Sequence, residues 1–170
     1  LAGGVAYVDG PLNVGVSMTR HDALYGVPIR YSLDPEIEAE APTIDVKQTR
    51  YDARVEIPLS GFFSAVHLRG GYADYRHNEI EDTGEIASTF RTSGGEGRAE
   101  LVQTQQNGWS GTSGVQYFKR KVGIDGEEKF LPDSRQSQAG LFTMQSLVRG
   151  PLRIEGGVPV EFSKLDADAG

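Results

Sequence analysis

The sequence predicts an all-β protein, an antiparallel up-and-down sheet of about eight long strands of the kind that forms a transmembrane β-barrel. Three observations carry that expectation: connectors alternate in length, the strands between them are long, and each strand sorts apolar and polar residues onto opposite faces. Tight turns fall at Asp9-Gly10-Pro11, Ser60-Gly61, Gln105-Gln106-Asn107-Gly108 and Arg149-Gly150-Pro151. Long polar stretches lie between them, at 25–43, 79–88 and 123–136. A soluble β-protein has no reason to sort its connectors by length. An outer-membrane barrel does, with short turns on the periplasmic side and long loops outside.

The turns and connectors place strands at 3–9, 12–24, 43–59, 64–79, 88–104, 109–122, 136–148 and 151–163. The first is closed by the Gly10-Pro11 turn. In the second, Leu12, Val14, Val16 and Met18 oppose Asn13, Gly15, Ser17 and Thr19. In the third, Tyr51, Ala53, Val55, Ile57 and Leu59 oppose Gln48, Arg50, Asp52, Arg54 and Glu56. The fourth sets Val66, Leu68 and Tyr72 against His67, Arg69 and Gly71, and the fifth sets Gly97, Ala99 and Leu101 against Glu96, Arg98 and Glu100. The sixth and seventh alternate less cleanly, with Phe142, Met144 and Val148 expected as the apolar face of the seventh. In the eighth, Leu152, Ile154, Val158 and Val160 oppose Arg153, Glu155 and Glu161.

Most of these strands exceed the common globular length of about 5–6 residues. They reach the roughly 9–11 residues that cross a bilayer at a tilt. A soluble sheet with one solvated face produces the same alternation. However, a face carrying Arg50, Asp52, Arg54 and Glu56 in sequence cannot sit in a dry core without a heavy desolvation cost. It suits a wet lumen, and the apolar face then meets lipid. Phe62, Phe63 and Trp109 gather at short turns, and Tyr25, Tyr31, Tyr75 and Phe90 toward the long connectors. Aromatic girdles at both membrane interfaces are expected of a barrel.

Composition narrows the function. The chain has 170 residues, no cysteine and a net charge of −7, which argues against a thiolate metal site and against general nucleic-acid binding. The long connectors hold Asp34, Glu36, Glu38, Glu40, Glu79, Glu81, Asp82, Glu85, Asp125, Glu127, Glu128 and Asp133 against only Arg30, Lys129 and Arg135. No apolar run approaches the ~20 residues of a membrane helix. Leu1 begins close to a strand with no signal segment before it, and the chain closes on Asp166-Ala167-Asp168-Ala169-Gly170. Both ends read as cuts in a longer protein. Enzyme signatures are missing: Gly111-Thr112-Ser113-Gly114 is not a nucleophile elbow, and Gly94-Gly95-Glu96-Gly97 lacks the Lys-Ser/Thr of a phosphate loop.

Several segments resemble one family when taken in order. They are Ile44-Asp45-Val46-Lys47-Gln48-Thr49-Arg50-Tyr51-Asp52-Ala53-Arg54, Arg69-Gly70-Gly71-Tyr72-Ala73-Asp74-Tyr75-Arg76-His77-Asn78-Glu79, Glu96-Gly97-Arg98-Ala99-Glu100-Leu101, and Trp109-Ser110-Gly111-Thr112-Ser113-Gly114-Val115-Gln116-Tyr117. Gly126-Glu127-Glu128-Lys129-Phe130-Leu131-Pro132 and Arg153-Ile154-Glu155-Gly156-Gly157 continue the series. From about Val14 to Glu161 the chain is similar to the middle of a TonB-dependent outer-membrane receptor barrel, closest to the branch that includes zinc-uptake receptors. The resemblance implies a 22-stranded barrel, of the roughly 22-strand plugged class. It also implies a plug domain outside this chain, and energy from the TonB–ExbB–ExbD system through an N-terminal box that is likewise outside it. Residues 1–170 would then be one partial barrel domain.

A candidate metal site lies at the mouth. His77, Glu79 and Glu81 are spaced by two, so a continuing strand would put an imidazole and two carboxylates on one face, donors suited to zinc or a similar divalent ion. The bland alternative is a solvated cluster at a loop edge. His21 and Asp22 are nearby in pattern, and His67 is expected in the lumen or near the short-turn rim without a ligand role. The expected function is non-enzymatic: outer-membrane import of a scarce metal ion or metal chelate, zinc or an iron chelate among them, with no resident cofactor. The alternatives are a small self-contained barrel serving as an adhesin or structural protein, and a soluble extracellular β-domain.

Overall fold

The computed structural model describes residues 1–27, 42–126 and 132–167. Within them the chain is all-β: β1 (Ala2–Asp9), β2 (Leu12–Gly26), β3 (Thr43–Pro58), β4 (Phe63–Ile80), β5 (Ile86–Gln103), β6 (Trp109–Gly126), β7 (Ser134–Arg149) and β8 (Leu152–Ala167). They form one eight-stranded sheet in sequence order, every neighbour antiparallel. β1 and β8 do not pair, so the sheet is open.

Most strands run beyond the expected bounds, and β5 to β8 do so chiefly at the long-connector end. The expected long stretch 79–88 shrinks to a turn over 81–85, closed by Glu81 N–H to Glu85 C=O (2.9 Å) and Gly84 N–H to Glu81 C=O (2.9 Å). That connector is no longer than 104–108 at the opposite end. The physical reason is that pairing continues past the alternating stretch. A bulge between Glu79 and Ile80 lets Ile80 and Ile86 still face one another. The other segments between strands at this end are 27–42 and 127–133, of which 28–41 and 127–131 lie outside the described residues, with Tyr31 and most of the acidic residues of those connectors.

At the short-turn end the chain reverses tightly. Gly10 and Gly150 each take φ +56° ahead of a proline, a left-handed conformation that glycine adopts freely. Asn107 (φ 51°) and Gly108 (φ 82°) both lie at positive φ, as an Asn-Gly reversal between strands requires.

Register decides the faces. Cross-strand partners share a face, and the rows Val5–Val16–Ala53–Gly70 and Tyr7–Val14–Val55–Leu68–Ala99–Val115–Leu141–Val160 gather the apolar residues of successive strands on one side. On β7 the expectation fails. Phe142 and Met144 pair with Gly114 and Thr112 on the polar side, and Leu141 and Leu147 point with the apolar rows. The polar side of β7 can hold Phe142 because Arg98 covers its ring.

No second layer covers the apolar side among the described residues. Among the described residues only Ile44, Val46 and Ile124 are buried hydrophobics, whereas Val16, Val115, Leu141, Ile154 and Phe162 stand roughly half or more exposed. The chain exposes 12168 Å², against about 8200 Å² for a compact monomer of its mass.

Candidate functional site: a charged wall behind an apolar band

The polar side is built in alternating charged rows. Arg54, Arg69 and Arg98 are successive cross-strand partners on β3, β4 and β5. One polar row toward the short turns lie Glu56, His67 and Glu100; one row the other way lie Asp52, Gly71 and Glu96. Arginine and carboxylate two residues apart on one strand lie side by side, and the chain uses this repeatedly. Arg50 donates to both oxygens of Asp52 (2.7–3.0 Å), Arg54 to Glu56, and Arg98 to Glu100 (2.7 and 3.0 Å). His67 Nδ1 lies 4.0 Å from Glu100 Oε2.

Two glycines make room for contacts that cross strands. Arg50 on β3 reaches over β4 to Glu96 on β5 (3.0 Å). It passes Gly71, where a Cβ would stand 3.1 Å from Arg50 Nη2 and 3.3 Å from Glu96 Oε1. At Gly114 a Cβ would meet the Phe142 ring at 2.6 Å. The bare backbone seats that ring, and Arg98 lies 4.0 Å over its centroid while donating to Gln116 (3.1 Å). Arg69, between the paired Arg54 and Arg98, has no ion pair among the described residues. The wall is therefore neutralised within β3 and β5 and between them, through Arg50–Glu96, but not at Arg69 on β4. It lines a recess of about 640 Å³ that includes Arg50, Arg54, Arg69, Glu96 and Gln138.

The apolar band is bounded by aromatics: the expected Trp109 at the short-turn edge, and a set other than the expected one toward the long connectors. Toward the long connectors its edge is Tyr51 and Tyr72, direct partners, then Tyr117 and Phe162 one outward row nearer the short turns. All four are about half exposed or more. Trp109 stands at the short-turn edge with Leu147 and Ile154, its Nε1 donating to Gln145 (2.8 Å). Tyr25, Tyr75 and Phe90 belong to the polar side, because Tyr75 pairs with Gln48 and Phe90 with His77. The upper edge slopes across the sheet, as an interface plane does across tilted strands. Along β8 the band from Ile154 to Phe162 runs about 27 Å of strand, which a tilt of roughly 40° projects to about 20 Å, a little short of the ~25 Å apolar band of a transmembrane barrel.

The expected metal trio is not gathered. His77 stacks on Phe90 at 4.3 Å between ring centroids, and its Nδ1 lies 3.0 Å from the Tyr75 hydroxyl. Glu79 follows on the same side, but β4 ends at Ile80, so Glu81 sits in the turn. Among the described residues no three His, Asp or Glu side chains come together as a metal site. His21 pairs with Gln48 on the polar side, and Asp22 takes the Arg20 guanidinium on the other (2.9 Å). The row of arginines and the tyrosine line escaped sequence reasoning, since period-two alternation assigns faces within a strand but not registers between strands. No protein-family model matches the chain, and no curated protein is detectably similar to it.

Proposed function

We propose that this chain is a wall section of an outer-membrane TonB-dependent receptor barrel, which imports a scarce metal ion or metal chelate and carries out no bond chemistry. The observation that carries the membrane reading is the uncovered apolar band, edged by aromatics, behind a continuous charged wall. In a soluble sheet such a face requires a second layer. In a barrel it meets lipid while the ion-pair ladder meets water. The receptor reading adds the ordered series of segments that resemble that family. Unpaired edges at β1 and β8 favour a section of a larger barrel over a small closed one, because long exposed edges demand partner strands.

Residues 1–170 contain no cysteine, so the test places cysteines there after any cysteine elsewhere in the parent protein is replaced by serine. Single cysteines are placed in the full-length receptor at Val55, Leu68, Leu141 and Val160, and at Arg54 and Gln116, then exposed in outer membranes to a water-soluble maleimide. The first set stays unlabelled until detergent is added, and the second labels when the lumen is open. Water-accessible cysteines at Val55 and Leu141 would sink the membrane reading. Transport is tested separately, by uptake of radiolabelled zinc and ferric citrate in cells with and without functional TonB. Uptake indifferent to TonB removes the receptor reading and leaves the barrel.

A further inference from the structure

Beyond the tyrosine line, on the same side as the apolar band, the sheet turns cationic in a way its own carboxylates do not balance. Lys47, Arg76 and Arg91 are direct cross-strand partners on β3, β4 and β5. One outward row nearer the tyrosines, Lys121 on β6 faces Arg135 on β7, and Lys119 precedes it by two. Like charges set directly opposite destabilise a sheet. Lys47 and Arg91 are relieved by Asp45 (3.0 Å) and Asp125 (2.8 Å). Arg76, Lys119, Lys121 and Arg135 have no ion pair among the described residues, and Asp166, which faces Arg135 from β8, is taken by Lys164 (2.9 Å). Arg76, Arg91, Lys121 and Arg135 share a recess of about 510 Å³ with two carboxylates, Asp74 and Asp133, which the cations outnumber.

We propose that these rows bind the phosphomonoester groups of net-anionic lipid headgroups in the leaflet on the long-connector side. The inference rests on the membrane reading above and deepens it, since it names a ligand class for the band's upper border. Position argues for lipid as the source. The rows continue the apolar band past its aromatic edge, at the depth where headgroups begin. Basic clusters at that depth attract anionic lipid, and guanidinium forks on neighbouring strands suit a phosphate bridging them. A bridging phosphate also removes the Arg76–Arg91 and Lys121–Arg135 repulsion.

The experiment uses the full-length protein in phosphatidylcholine nanodiscs doped with a minor fraction of diphosphorylated lipid A. Retained lipid is counted by native mass spectrometry, and unfolding temperature is followed in parallel. Wild type retains lipid A preferentially. Arg76→Gln combined with Lys121→Gln lowers that retention about tenfold or more, at roughly fivefold per charge. Arg153→Gln, at the opposite end of the sheet, leaves it unchanged. A sign reversal is also expected: the double variant melts no lower than wild type in pure phosphatidylcholine, yet lower with lipid A present. Lys121→Gln alone shows the same direction should the double variant fail to assemble.

Equal retention by wild type and variant overturns the proposal. So does displacement of lipid A by inorganic phosphate at matched concentration, which would assign the rows to a free anion. Labelling of Val55 and Leu141 by the aqueous maleimide overturns the membrane reading itself, whereas protected cysteines without lipid A preference overturn only this site.

Discussion

At the residue scale, one small position sets how the wall's charges meet across strands. Gly71 keeps the path from Arg50 to Glu96 open. Gly71→Val forces both side chains away and is expected to cost about 1–3 kcal/mol as overpacking. Glu96→Gln removes a partly exposed ion pair and costs less than about 1 kcal/mol. Thermal unfolding of the two variants in detergent checks the order, and a larger loss for Glu96→Gln would mean that the ion pair outweighs the space. His77 packs on Phe90 and meets the Tyr75 hydroxyl. His77→Ala forfeits the Phe90 stack and the Tyr75 contact, worth about 1–2 kcal/mol together, and leaves zinc binding by the full-length protein unchanged in calorimetric titration. A fall in zinc affinity without loss of stability would restore His77 as a ligand.

At the element scale, the hairpins are held by turn geometry as much as by pairing. Gly108 carries φ 82°, and a Cβ there would collide with the Val148 carbonyl. That carbonyl belongs to the strand end next door, and Val148 N–H donates to Gly108 C=O (2.9 Å). Gly108→Ala therefore strains the β5–β6 turn and its seat on β7 together, with an expected cost above about 2 kcal/mol. Equilibrium urea unfolding measures it, and Asn107→Gly as a comparison should stay near wild type. The same scale explains the failure on β7. Its own residues gave Phe142, Met144 and Val148 as an apolar stripe, but Arg98 on β5 and Gly114 on β6 turn Phe142 into part of the polar wall.

At the scale of the whole molecule, the sheet is incomplete in two directions. Its apolar side is bare and its outer strands are unpaired. Residues 1–170 expressed alone in buffer without detergent are expected to associate, through edge pairing and apolar contact. Sedimentation as a stable 18.4 kDa monomer would instead favour the soluble-domain reading. The balance of charge is also a property of this scale: paired columns on β3 and β5 enclose the unpaired Arg69 on β4, and unpaired cations collect above the tyrosine line.

The amino-acid sequence by itself determined the class of the fold, because side-chain alternation is a local consequence of the pleat. Each strand from β2 to β5, and β8, displays its two faces without reference to a neighbour. It also determined the short reversals, where Gly10, Asn107, Gly108 and Gly150 take positive φ. Register was the tertiary structure's decision. A shift of one residue between strands exchanges every face, and no single strand records which residue stands opposite. For that reason the row Arg54–Arg69–Arg98, the line from Tyr51 to Phe162, and the separation of His77 from Glu81 emerged only when the strands were paired.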